Sequence, residues 1–338
     1  MKVEIQQLPK YGRKILFEIE AEKVKEKKTE IVHEIQKSAE VPGFRKGKVP
    51  EHVIESRYSD VIKKNVLERI ITDSYLAAVK EHNLSPVIDP EVADVKFNDT
   101  ISFSVYVEVK PEVSVKKYKG LVVKEVTPEP VTEQMVDEVL ADWEKRKEFA
   151  SSIIDPEKRA VWRKKIREQL EQLSQHRAKT QEEQQLWDQL FENSSVEIPE
   201  KLMLQRARYL TKQQFNYIDT QNKTKEEIEK IAEQIFEKMK PVAEEQLKKY
   251  FILEKIAEME NVQVTEEEIE QAIKKISLTS GEDYQQVTKR LTDSGKIYDL
   301  KDDIKIEKTF ALVKNSAQNI KKILLPGEEN HEHKKPLL

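Results

Sequence analysis

The chain has 338 residues, 36% of them charged against about 25% in ordinary globular proteins, and a net charge of −4. It has no cysteine, which excludes disulfides, cysteine-ligated zinc and thiol nucleophiles. Its seven glycines form no Gly-x-Gly-x-x-Gly, and Gly43 to Lys48 lacks both the spacer and the Ser/Thr of a P-loop, so nucleotide-driven chemistry is not expected.

At the N-terminus, Lys2 and Glu4 interrupt the first residues and no apolar leader follows. No run approaches the ~18 apolar residues of a membrane span. A soluble, cytoplasmic chain with no membrane partner is expected. Arg13 to Glu20 alternates as a strand with Ile15, Phe17 and Ile19 on one face. Helical spacing follows at Val24, Ile31, Ile35 and Ala39, then at Val61, Val66, Ile70, Tyr75 and Val79. Ile101, Phe103, Val105, Val107 and Val109 alternate with polar residues, the clearest strand in the chain. Residues 1–112 are therefore predicted to form an α+β domain in strand–helix–helix–strand order. Residues 1–110 carry 19 basic and 19 acidic side chains, so bulk charge does not mark a nucleic-acid binder.

Between the two helical patterns lies Val41-Pro42-Gly43-Phe44-Arg45-Lys46-Gly47-Lys48-Val49-Pro50. The prolines stop either helix from running through, and the glycines let the backbone turn. An apolar Phe44 at a solvated tip, beside Arg45, Lys46 and Lys48, is the composition of a binding hot spot. A turn kept wet by its charges is the alternative.

Residues 113–130 read as an extended linker ending at Pro128-Glu129-Pro130. Thr132 is placed to cap a helix carrying Val136, Leu140 and Trp143. Positions 121–280 hold no glycine, and with Pro156, Pro199 and Pro241 as interruptions they predict long helices over 131–325. Pro199 fits a first helical position, and Thr224-x-x-Glu227 and Thr265-x-x-Glu268 read as capping boxes. Ala243, Leu247, Tyr250, Leu253 and Ala257, widened by Phe251, Ile252 and Ile256, make a helix apolar nearly all round. Residues 326–338 read as a frayed tail.

Gly-Phe-Arg-Lys-Gly-Lys-x-Pro, set between two helices of an N-terminal α+β domain, resembles the signature of the bacterial trigger factor family. Val196-Glu197-Ile198-Pro199-Glu200 and the run from Glu244 through Ile273 are similar to the family's helical arms. The resemblance covers residues 1 to about 325, except for the family's FKBP-type prolyl isomerase domain. Here Trp143 runs through Ser151-Ser152-Ile153-Ile154-Asp155-Pro156 almost directly into helical pattern at Glu157, so no isomerase activity is carried over. The resemblance implies an α+β ribosome-binding domain followed by an elongated all-α chaperone domain with arm-like helices. It implies docking of Gly43, Phe44, Arg45, Lys46, Gly47 and Lys48 on the large ribosomal subunit, against a protein at the exit tunnel and nearby rRNA. It implies holding of nascent or unfolded polypeptides without ATP or any cofactor, and it is compatible with a homodimer of the free protein.

Four weaker features remain. Met203, Tyr209, Phe215 and Tyr217 are candidate client contacts, although residues at helical spacing are more often core. Lys158, Arg159, Arg163, Lys164, Lys165 and Arg167 form a run without an acid, read as a solvated helix face before an RNA contact, with Trp162 as a packing residue. His331 and His333 make at most a nonspecific metal site, and none is assigned. No catalytic set is legible. A degenerate prolyl isomerase and an RNA-binding translation factor without chaperone activity stay open as rival functions.

Overall fold

The computed structural model describes residues 1–145, 156–218 and 223–320. The alternation around residues 15 and 105 becomes the centre of a four-stranded antiparallel sheet. Its strands are β1 (Lys2–Gln7), β2 (Gly12–Ile19), β3 (Glu91–Phe97) and β4 (Ile101–Glu108), in the order β1-β2-β4-β3. Ile15 faces Val105, Phe17 faces Phe103 and Ile19 faces Ile101, so one buried face is built from cross-strand pairs. Phe17 and Phe103 stack at 4.6 Å. Helices α1 (Ala21–Ser38) and α3 (Ser59–Glu81) cover that face, with the short α2 (Glu51–Arg57) between them.

Expectation and structure differ here in three places. β1 and β3 extend the predicted pair of strands to four, and α2 is added between the two helices. The buried stripe of α3 runs through Ile62, Val66, Ile70, Ser74 and Ala78, leaving Val61 exposed. Strand β3 carries a bulge between Ala93 and Lys96, where Asp94 takes a φ of 55°. Ser104 Oγ donates to the Asp94 carboxylate at 2.8 Å and Lys14 lies 3.1 Å away; the two hold that carboxyl below its usual range.

The chain divides into two compact units, each assembled from separated segments: Met1–Glu112 with Val196–Phe251, and Val113–Ser195 with Ile252–Leu338. The first unit includes α6 (Glu200–Phe215) and the first part of α7 (Lys225–Met259). Pro199 sits one residue before α6, as its N-cap. Thr224 and Glu227 make the reciprocal hydrogen bonds of a capping box ahead of α7. Pro241 lies inside α7 rather than ending it; the ring is exposed, so the helix loses a hydrogen bond there without a steric conflict in the core. In this stretch of α7, Ala243, Phe251, Ile252, Leu253, Ile256 and Ala257 are buried, the broad apolar face that its sequence predicts.

In the second unit, α4 (Glu133–Lys145) packs on α5 (Pro156–Glu192) through Val136, Leu140 and Ile166. Thr132 caps α4 through the Met135 amide. Within residues 113–130, β5 (Val113–Val115) pairs with β7 (Ser194–Val196), and β6 (Val122–Lys124) pairs in parallel with β8 (Gln318–Ile320). Leu121 and Val123 are buried in this unit. Helices α8 (Glu266–Ser280), α9 (Tyr284–Asp293) and α10 (Lys296–Asn315) share a core of Ile273, Val287 and Leu291. The Thr265–Glu268 capping box opens α8, and Gly281, at a φ of 71°, closes it. Trp187 of α5 stacks on Phe310 of α10 at 4.9 Å.

Candidate functional site

The loop after α1 is built from two consecutive turns. The Phe44 amide donates to the Val41 carbonyl at 3.0 Å, and the Lys48 amide donates to the Arg45 carbonyl at 2.9 Å. Gly43 at φ 91° and Gly47 at φ 78° supply the left-handed conformations that these turns need, with open space around each. Val41 and Val49 are buried in the core beneath, and Gln36 Nε2 donates to the Val49 carbonyl. Both ends of the loop are thus pinned while residues 42–48 are all exposed. Phe44 keeps 43% of its surface in water, an apolar ring presented rather than stored. Among the described residues Arg45 and Lys48 make no ion pair, and Lys46 has only a 3.9 Å contact with the exposed Glu40. The six residues singled out in the sequence therefore form one continuous cationic tip with an aromatic centre.

The other basic run has a different fate. Arg163 pairs with Glu133 at 2.6 Å and also with Asp137, Arg167 pairs with Glu133, and Arg159 lies 3.3 Å from Glu144. Asp137 and Glu133 hold the Arg163 guanidinium above its usual pKa. Trp162 meets Trp143 edge-on at 5.5 Å and Lys165 lies over its ring. This arginine row ties α5 to α4. Arg163 and Arg167 are therefore held between the two helices, while Lys158, Lys164 and Lys165 stay exposed, and Trp162 packs as expected.

The candidate client residues scatter on and beyond α6. Met203 and Phe215 are half-buried, whereas Tyr209 is 52% exposed and Tyr217 is 88% exposed, so helical spacing does not make these two core. The start of α6 is fixed by a residue that the sequence reading did not single out. Glu108, only 1% exposed, accepts the amides of Lys201 and Leu202 at 2.9 Å each, and the Tyr106 hydroxyl donates to it at 3.3 Å. A buried carboxylate at a helix N-terminus satisfies two orphan amides and complements the helix dipole. Lys201 Nζ lies 3.8 Å over the Tyr106 ring, and Lys10 pairs with Glu200 at 2.8 Å. Glu108 lies on the polar face of β4, with Ser102, Ser104 and Tyr106, so its alternation gives no local sign of this joint.

A family model described as bacterial trigger factor protein matches residues 1–143, and one for the C-terminus of the same protein matches residues 160–315. The chain belongs to the trigger factor family. Only residues 144–159 separate the two matches, too few for a further domain, so this trigger factor chain lacks the family's middle isomerase domain. The trigger factor of Geobacter metallireducens is 38% identical over 122 residues, covering 36% of this chain and 28% of that protein. The trigger factor of Bdellovibrio bacteriovorus is 36% identical over 142 residues, or 41% of this chain and 32% of that protein. The matched part thus spans about three-tenths of the length of these curated relatives. A chain of the solved structure "Promiscuous Substrate Recognition in Folding and Assembly Activities of the Trigger Factor Chaperone" is similar over 93% of this chain and 99% of its own. Its TM-score is 0.54 at 15% identity, a likeness of fold. The fold class expected from the sequence, an α+β N-terminal domain followed by long helices, is the one observed. His331 and His333 lie outside the described residues. Among the described residues no His, Asp and Glu cluster could hold a metal, and no helix is long and apolar enough to cross a membrane.

Proposed function

We propose that the chain is an ATP-independent holding chaperone that docks on the large ribosomal subunit through Gly43–Lys48 and shields nascent or unfolded polypeptides. The observation that carries this reading is the pinned tip, where Phe44 stands exposed beside Arg45, Lys46 and Lys48, with Glu40, 3.9 Å from Lys46, as their one ion-pair partner among the described residues. An aromatic anchor with an adjacent arginine suits a protein pocket, and the flanking lysines suit the phosphates of nearby rRNA. Holding falls to the helices beyond the N-terminal domain, with Tyr209, Tyr217, Met203 and Phe215 as contacts. Exposed aromatics and methionine on a charged helix make weak, sequence-tolerant contacts that add up through multivalency. The chain acts without isomerase chemistry, because the residues between its two family matches leave no room for that domain.

Replacing Phe44, Arg45 and Lys46 together by Ala tests the docking. Two hot-spot side chains at about 2 kcal/mol each predict a fall in ribosome affinity of more than about a hundredfold. Co-sedimentation should be lost while the circular dichroism spectrum and melting temperature stay those of the parent. A triple variant that pellets with ribosomes like the parent would withdraw the assignment.

A further inference from the structure

Strand β6 is gripped on both edges by different means. Along one edge, the Val122 amide donates to Gln189 Oε1 at 3.0 Å and Gln189 Nε2 donates back to the Val122 carbonyl at 2.7 Å. Gln185 repeats the exchange with Lys124 at 2.9 and 3.0 Å, and Glu182 accepts the Val126 amide at 3.0 Å. One helical turn rises about 5.4 Å and two strand residues about 6.8 Å, near enough for successive turns of α5 to serve alternate residues of the strand. Side-chain amides therefore stand in for a neighbouring strand on that edge.

The opposite edge is occupied by β8. Gly120 donates to the Ser316 carbonyl at 3.1 Å, Gln318 to the Leu121 carbonyl at 2.8 Å, and Glu125 to the Ile320 carbonyl at 3.1 Å. The two edges are not equally committed. The glutamines belong to a 37-residue helix whose Leu186 and Leu190 are buried, whereas β8 is three residues long, its Gln318 is exposed and its Ile320 is 51% exposed. Leu121 and Val123 anchor β6 itself, so its outer edge keeps its shape whatever lies along it.

We propose that this outer edge of β6 is a docking site for an extended polypeptide running parallel to the strand, and that β8 occupies it as a displaceable strap. The inference deepens the holding function and rests on it, because it names one place where an unfolded chain is held. Main-chain hydrogen bonds make no demand on side chains, which suits clients of unrelated sequence. The strap keeps the edge from pairing with other copies when no client is present, and its tether makes it an effective competitor until a longer segment displaces it.

The test uses the full chain, its Gln318→Pro variant and a fluorescent peptide with the sequence of residues 314–320. Proline removes the amide that donates to Leu121. With the strap seated about nine-tenths of the time, its release should tighten peptide binding about tenfold. An analogue N-methylated at alternate residues should not bind. In the parent, saturating peptide should speed hydrogen exchange at the Gln318 amide while Glu125 stays protected. Equal affinity for both proteins, equal binding of the N-methylated analogue, or unchanged Gln318 exchange would overturn the proposal. Aggregation of a denatured client with the parent chain scores the holding function separately. Intact holding with no peptide exchange overturns the strap alone, and peptide exchange without holding overturns the client as its occupant.

Discussion

Two basic runs, Arg45–Lys48 and Lys158–Arg167, look alike in the sequence and are opposite in the structure. The first stands on a two-turn loop whose ends are buried and whose cations have almost nothing acidic beside them. In the second, three arginines face Glu133, Asp137 and Glu144 across a helix pair. A cluster of like charge has no meaning of its own. What the neighbouring element presents decides whether it is glue or an offered surface.

The contrast can be broken most forcefully by exchanging assays between the runs. The loop triple variant should lose ribosome binding and keep its melting temperature. An Arg159→Ala, Arg163→Ala, Arg167→Ala variant should do the reverse, with a lower melting temperature and unchanged co-sedimentation. A ribosome-binding defect in the second variant would mean that its arginines face a partner after all.

A sharper case is Glu108, where a carboxylate is satisfied by main-chain amides instead of a cation. Glu108→Ala leaves two part-buried donors without an acceptor and should cost about 2–3 kcal/mol, read from denaturant unfolding with the m-value unchanged. Loss below about 1 kcal/mol would show that water replaces the carboxylate without penalty.

Smaller effects come from solution conditions. Salt should weaken ribosome docking by screening and counterion release while leaving the loop folded. Acid should act on the stability of both units instead, through Asp94 in the first and two glutamates in the second. Lys308 and the Thr265 amide hold Glu268 below the usual carboxylate range, and Lys119 and Tyr118 do the same for Glu260. A depressed folded-state pKa gives stability that is present above the unfolded value and is lost as pH falls through the folded one. Melting temperature should therefore drop on acidification below the ordinary carboxylate range, and Glu268→Gln should flatten part of that slope. An identical slope in the variant would remove Glu268 from the account.

Legibility followed sequence distance. The strand at Ile101–Val109, the capping boxes and the Gly43–Lys48 turn are written in residues within a few positions of one another, and each is found where its pattern lies. β3 was harder to read because all seven of its residues are exposed and a bulge at Asp94 breaks its alternation. In α3 two adjacent apolar residues left the phase open by one position, and Ile62 rather than Val61 turned inward. The arginine row depends on acids 15 to 34 residues away, and the grip of Gln185 and Gln189 on β6 on residues 61 and 67 away. No local pattern announces such partners. The cationic loop was legible because its chemistry is local; the fixing of α6 was not, because it begins at Glu108.

That long reach has a consequence in time. The amides that cap onto Glu108 belong to residues 93 and 94 positions later in the chain. At a synthesis rate of roughly 5–20 residues per second, they are made about 5–20 s after it. During that interval the N-terminal sheet can form with its docking tip complete and the Glu108 carboxylate still in water. The proposed docking tip is thus complete before the helix that caps onto Glu108 has been made, and synthesis itself sets the order of the two events.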